Sequence, residues 1–242
     1  MIGPAVHGSS DVLADSLPAL RLDDDGVHLA CCGPNTWKAA TGAAMVYING
    51  KPAFRIGDFS RHCGGLGQLL TGSPDILVGG PATKLISAAD VAAIQALIDA
   101  GKKQEALDKT AQVLEDAGFN MSVVGDLKYD PSDKNYGSTP RKKNPTITVG
   151  ESAFKDASTL VTTVAHERKH AEQWSDPAAA EAKGRDAREL EAYHEEIRHE
   201  NDFGTGTDMQ HNNRDYAKTH FGNLSPGEQA KYQAEQDRLV GP

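Results

Sequence analysis

The chain has 242 residues, with 24 glycines, 12 prolines, 6 % aromatics and a formal net charge of -9 at pH 7. That length suits one large domain or two small ones. The acidic balance argues against a nucleic-acid partner, and with no apolar run near 18 residues no membrane span is expected. The segment Met1 to Gly8 has neither a basic n-region nor an apolar h-region, so no secretory signal peptide is expected.

Residues 1 to 86 are glycine-rich, full of turn signals and short of helical periodicity. Thr41 to Gly50 matches Thr71 to Gly80 at an offset of 30 residues, which predicts one supersecondary unit used twice. Each copy reads as a turn, a short alternating strand and a glycine turn, and Asn49-Gly50 is a strong hairpin dipeptide. The expectation is a small module of stacked β-hairpins. A core with so few apolar side chains usually needs a staple. The three cysteines, Cys31, Cys32 and Cys63, are odd in number and two are adjacent, which predicts metal ligation or free thiols rather than a disulfide framework. His7, His28, Cys31, Cys32, His62 and Cys63 are the available ligands, and a Zn²⁺ held by four of them would supply folding free energy directly.

The run Val46 to Asp58, then Cys63-Gly64-Gly65, then Thr71-Gly72-Ser73-Pro74 resembles a PAAR-repeat domain. The similarity covers roughly residues 1 to 86. It implies a short β cone with a zinc-clamped tip that caps the trimeric VgrG spike of the bacterial type VI secretion system, with a C-terminal extension as cargo. The family holds its tip metal with three histidines and a cysteine. The matching positions here are His7, His28, His62 and Cys63. An acidic run and Cys31-Cys32 intrude between Leu22 and Trp37, so Cys31 or Cys32 is the alternative to His28.

Composition changes near Pro81. Ser87 to Ala100 predicts a helix capped by Ser87, with Val91, Ile94, Leu97 and Ile98 as its apolar stripe. Lys103 to Ala117 predicts a second helix, and each is ended by a glycine. Met121 to Tyr129 reads as a strand. Asp130 to Asn144 is polar and reads as an exposed loop, or as a flap beside a cleft. Residues 87 to 145 are thus expected to join the small module to the C-terminal region.

Thr146 to Val149 predicts a strand able to pair with an extended substrate, and Asp156 or Ser158 can cap the helix after it. That helix carries His166-Glu167-Arg168-Lys169-His170, which reads H-E-x-x-H. Residues four apart stand one turn above each other on a helix, so both imidazoles can reach one Zn²⁺. Glu167 sits at the rim of that face, placed to move a proton between water and a leaving amine. Ala178 to Arg198 predicts one further helix with the buried stripe Ala180, Ala187, Leu190, His194 and Ile197. Glu191 borders that stripe and is the expected third ligand, with Glu189 as runner-up; Asp176 is a weaker candidate. Glu195, one turn on, is expected to hold a ligand histidine from behind. Ser225-Pro226-Gly227-Glu228 is a capping box that opens a terminal helix.

These two helices resemble gluzincin-type metallopeptidases over about residues 146 to 200. The resemblance implies peptide-bond hydrolysis, with a Tyr or His stabilising the transition state: Tyr193, His194 or His199, of which His199 is preferred. The expectation is a multidomain chain: a β-rich PAAR cone (1–86), a helical hairpin and polar loop (87–145), and an α+β, mainly helical zincin-like core (146–242). Together the resemblances imply a type VI effector, made in the cytoplasm and secreted into a target cell without a signal peptide. Its expected cofactors are a catalytic and a structural zinc. Its expected partners are a VgrG-type spike trimer, a cognate immunity protein and a protein or peptide substrate. The alternatives are a zinc-dependent peptidoglycan peptidase or amidase, and a non-enzymatic spike tip with a structural zinc domain.

Overall fold

The computed structural model describes residues 3–28, 35–62, 65–80 and 84–241. The chain falls into two compact units: one from the N-terminus to Leu85 together with Glu115–Asn120, the other formed by Ile86–Leu114 and everything from Met121 onward.

In the first unit, β1 (Leu13–Ala14) pairs with β2 (Leu17–Pro18), β3 (Asp25–Val27) with β4 (Thr36–Ala39), and β5 (Tyr47–Ile48) with β6 (Lys51–Pro52), all antiparallel. With β7 (Phe59–His62) and β8 (Gly65–Gln68), β3 and β4 make a four-stranded sheet in the order β3-β4-β7-β8. The β5–β6 hairpin turns on Asn49 and Gly50, both at positive φ (49° and 77°), as a two-residue turn with that twist requires. Trp37, Ala39 and Phe54 form a small core with Leu20 and Leu69 against it.

The repeat expected at an offset of 30 takes a different form. Its first copy contains the β5 strand, whereas Thr71 to Gly80 contains no strand and leaves Ile76 and Leu77 exposed. What does recur is an arginine–aspartate turn. Arg21 donates from its backbone N–H and Nε to Asp24 Oδ2 (2.8 and 2.9 Å), and Arg55 does the same to Asp58 Oδ2 (2.7 and 3.1 Å). Each guanidinium also donates to a distant carbonyl, Arg21 to Gly8 and Arg55 to Gly80. These pairs staple loops that too few apolar side chains could hold.

The second unit opens with α1 (Ala88–Asp99), capped by Ser87, and α2 (Lys103–Asp116). Strands β9 (Asp126–Asp130), β10 (Gly137–Ser138) and β11 (Thr146–Gly150) come next, in the order β10-β11-β9, with β9 parallel and β10 antiparallel to β11. Segment 87–145, apart from Glu115–Asn120, is therefore built into this unit and supplies two of its three strands. Strand β11 lies in the middle of the sheet, so it has no free edge for a substrate. The edge strands are β10 and β9, and β10 is the one that lies against α3.

Asp156 caps α3 (Ala157–Gln173) by accepting from Thr159 N–H at 2.7 Å. Leu160, Val161, Val164 and Ala171 bury the face of α3 that packs on its neighbours. The single helix expected from Ala178 to Arg198 is broken at Gly184, whose φ of 80° no helix interior tolerates. It becomes α4 (Pro177–Lys183), capped by Asp176, and α5 (Arg185–Arg198). Then come α6 (Glu200–Phe203), α7 (Thr207–Gly222) and α8 (Pro226–Leu239), the last opened by the Ser225/Glu228 capping box. Among the described residues no helix is long and apolar enough to cross a membrane.

The arginine–aspartate turns give a stability test. Asp58 is 4 % exposed beneath Arg55, whereas the Lys51–Asp23 pair spans 3.9 Å in the open. Asp58→Ala should cost about 3 kcal/mol, because it strands a largely buried guanidinium. Asp23→Ala should cost less than about 1 kcal/mol. Urea unfolding of the full chain checks the contrast; equal midpoints for the two variants would contradict it.

Candidate metal centre

Helices α3 and α5 cross so that His166, His170 and Glu189 bring three ligand-type atoms within 4.8 Å of one another, a convergence found once among the described residues. His166 Nε2 and His170 Nε2 are 3.1 Å apart. Glu189 Oε2 lies 3.6 Å from the first and 3.3 Å from the second. Ligand atoms on a tetrahedral zinc with bonds of about 2.0–2.1 Å stand about 3.3–3.4 Å apart, so the triangle has the size such an ion demands.

Each imidazole is oriented from behind. His166 Nδ1 donates to Glu196 Oε1, and Glu196 Oε2 accepts from Asn213 at 2.6 Å. His170 Nδ1 lies 2.9 Å from Gln173 Oε1. The Gln173 amide nitrogen is already spent on Arg188 O and Glu191 Oε2, both at 3.0 Å, so its oxygen faces the ring and His170 must donate. Both rings thus commit an Nδ1–H outward and turn Nε2 to the common point. Two nitrogens and a carboxylate oxygen this close need a positive charge between them. A shared proton serves two of the three atoms; a metal ion serves all three.

The charge balance agrees. Burial opposes protonation of His166, but Glu196, Glu189 and Glu167 outweigh it and raise its pKa well above the ordinary value. Burial pushes Glu189 up, yet its bonds to His166 and His170 hold it far below the usual carboxylate range. Tyr193, whose ring is 5.0 Å from that of His166, is raised by burial and then by Glu196 and Glu189, so it stays a protonated O–H donor.

Glu167 is buried beside the pair, and its Oε2 accepts from Thr139 Oγ1 at 2.7 Å. Thr139 follows β10, which lies against α3 so closely that a Cβ on Gly137 would come within 2.7 Å of Glu167 Cγ. His166, Glu167, His170, Glu189 and Tyr193 all line a cleft of about 770 Å³ roofed by residues 134–139 and Arg141. The polar segment before β11 is therefore the flap rather than a bystander loop.

Several expected site residues fall elsewhere. Glu191 is turned away from the imidazoles: it accepts from Lys183 Nζ (2.8 Å), Tyr232 OH (2.9 Å) and Gln173, so it supports His170 only through the glutamine. Glu195 pairs with Arg168 and Lys169, and Glu196 takes the orienting role expected of it. His199 is buried 3.1 Å from Asp202 and does not reach the cleft; Tyr193 does. His194 is buried against Gln236 at 2.8 Å. For Glu191 and His194 the reason is the helix face they occupy. The apolar stripe of α5, with Ala187, Leu190 and Ile197, packs on Ala217, Leu224 and the side chains of α8. Glu189, Tyr193 and Glu196 lie about a quarter turn round the helix from it and reach the imidazoles of α3, with Tyr193 also stacked on Tyr216 of α7. Sequence reasoning misses Glu196, Gln173 and Asn213, although the spacing of 189, 193 and 196 marks one helical face.

In the first unit His28 and His62 lie with ring centroids 5.0 Å apart. His62 Nε2 is 3.0 Å from Ser60 Oγ, and burial followed by the nearby His28 lowers its pKa. His7 is exposed and bonds Asp25 Oδ1 at 2.9 Å. Cys31, Cys32 and Cys63 lie outside the described residues.

No protein-family model matches the chain, and no solved structure matches it. It is similar to two bacterial toxins. One is the NAD(P)(+) glycohydrolase toxin Tse6 of Pseudomonas aeruginosa (strain PAO1), 35 % identical over 97 residues, covering 37 % of this chain and 22 % of that protein. The other is the (p)ppApp synthetase toxin Tas1 of Pseudomonas aeruginosa (strain UCBPP-PA14), again 35 % identical over 97 residues, covering 37 % of this chain and 21 % of that protein. The chain thus spans about a fifth of the length of these curated relatives, and neither name describes a peptidase.

The geometry separates the two glutamates. Glu189→Ala should cost more Zn²⁺ affinity than Glu191→Ala, which should lose about 10- to 100-fold by loosening Gln173 and His170. Competition with a chromophoric chelator measures both; a larger loss in Glu191→Ala would refute the assignment.

Proposed function

We propose that the chain is a type VI secretion effector whose second unit is a zinc-dependent peptidase toxic to a recipient cell. The observation that carries the enzymatic part is the trio His166, His170 and Glu189 on the wall of an open cleft, with Glu167 beside it. Three protein ligands and a solvent-facing side are the pattern of catalytic zinc, whereas structural zinc is closed by four. That favours an enzyme over a spike tip with a structural zinc domain. Delivery, docking on a VgrG-type trimer and a cognate immunity protein rest on the PAAR-like motifs of residues 1 to 86. The similarity to two toxins supports the toxic role.

A zinc ion bound to the trio would supply Lewis acidity toward a carbonyl oxygen and toward water. The chain supplies the rest. The free edge of β10 offers backbone groups to an extended peptide. The Glu167 carboxylate, steadied by Thr139, accepts a proton from the attacking water and returns it to the leaving nitrogen. The Tyr193 hydroxyl, kept protonated, donates to the oxygen on which negative charge develops. Glu196 and Gln173 hold the two imidazoles in one tautomer throughout.

Glu167→Gln should retain bound zinc and lose about 10²–10⁴-fold in peptide hydrolysis. Tyr193→Phe should lose about 10²-fold in kcat. His199→Gln, outside the cleft, should lower stability and leave kcat unchanged. Zinc content, kcat and growth of recipient cells expressing each variant decide the matter. A zinc-loaded Glu167→Gln that stays as toxic as the parent would sink the enzymatic reading.

A further inference from the structure

The net charge of the chain is -9, yet one end of the cleft is cationic. Arg141, Arg185 and Arg188 lie there among the lining residues. Arg188 is fixed, with its guanidinium 4.9 Å above the Trp174 ring and one N–H donated to Ala180 O. Arg185 reaches Glu189 only at 4.0 Å and is 74 % exposed. Arg141 forms no ion pair among the described residues.

Their position relative to the trio is set by the helix. Arg185 and Arg188 precede Glu189 on α5, while Tyr193 and Glu196 come after it. At about 1.5 Å per residue, Arg185 lies about 6 Å to one side of Glu189 and Glu196 about 10 Å to the other. The far end is lined by Met209, Asn212 and Tyr216 beside Glu196, with no arginine among them. The cleft is thus polarised along its length, with the trio between its ends.

We propose that the arginine end binds a carboxylate of the substrate, so that the enzyme takes peptides carrying an acidic group on one defined side of the scissile bond. This rests on the peptidase reading. Guanidinium groups match a carboxylate by paired N–H donors, and two or three of them converging in a cleft select it over a neutral side chain. The carboxylate is either an Asp or Glu side chain or the free C-terminus of a short peptide; both present the same fork of oxygens. A nucleotide phosphate would meet the same cations, but the edge strand β10 nearby offers backbone groups to an extended peptide.

The test is binding to the zinc-loaded full chain carrying Glu167→Gln, read by competition against a fluorescein-labelled Ala/Leu/Glu heptapeptide. Four competitors are compared: an N-acetylated, C-amidated neutral peptide; the same peptide with one Glu, moved position by position; the neutral peptide with a free C-terminal carboxylate; and NAD⁺. One of the two carboxylate peptides should bind at least tenfold tighter than the neutral one, and which one does identifies the source. The preference should disappear in the added Arg141→Ala/Arg185→Ala variant, whose sites are surface positions. Equal binding of neutral and acidic peptides, no binding of either, a preference that survives the double substitution, or tighter binding of NAD⁺ would each overturn the proposal. Hydrolysis by the parent chain is scored separately. Acid-selective binding without hydrolysis would remove the peptidase reading and leave the subsite, and hydrolysis without charge preference would do the reverse.

Discussion

Three donor atoms crowded into one small triangle are the constraint on which the second unit is built. Nitrogen lone pairs and a carboxylate do not gather at 3.1–3.6 Å unless something positive offsets their repulsion. The surroundings deepen the demand. Glu167 and Glu196 are also buried there, and each is held by a single neutral donor, Thr139 or Asn213, besides its histidine or backbone contacts. A folded chain with this much negative charge around two imidazoles favours a cation at their centre. If the proposed zinc occupies it, its binding free energy is also a force closing α3 on α5 and α7.

Helix α5 shows how the unit meets that demand without losing its core. Its two long faces do different work. One buries Ala187, Leu190 and Ile197 against α7 and α8. The other presents Glu189, Tyr193 and Glu196 to α3, where a polar face is stable only because each group finds a partner. Glu191 lies beyond the apolar stripe, paired with Lys183 and accepting from the Tyr232 hydroxyl. Its one link inward is the hydrogen bond to Gln173, so a carboxylate remote from the imidazoles still fixes the plane of His170.

Local signals were legible and tertiary ones were not. The H-E-x-x-H helix, its Asp156 cap, the β11 strand, the Asn49-Gly50 hairpin and the Ser225 capping box each arise from residues within a few positions of one another. The third ligand does not. Placing Glu191 beside the site assumes that the apolar stripe of a helix and its functional face coincide. That holds for a helix on one core and fails for a helix wedged between two partners. The same limit hid β10: a two-residue strand in a polar segment has no propensity to read, and it exists because Gly137 and Ser138 pair with Val149 and Thr148. The break at Gly184 was readable, since a glycine between two helical runs is a stop signal.

The two imidazole pairs of the chain differ in what stands behind them, and the difference bears on what each can do. Behind His166 and His170 stand Glu196 and Gln173, acceptors that fix the tautomer and raise the basicity of the ring. Behind His28 there is no such group among the described residues: it is buried, and neither of its ring nitrogens has a hydrogen-bond partner there. His62 meets only a serine hydroxyl. A buried imidazole left without partners is destabilising by about 1–3 kcal/mol, so among the described residues His28 is the group a ligand would satisfy. A site that only clamps loops together needs no tuned ligand basicity, whereas one that must make water reactive does. On the proposed reading, the orienting shell puts the chemistry at His166 and His170 and, at most, a structural clamp at His28 and His62.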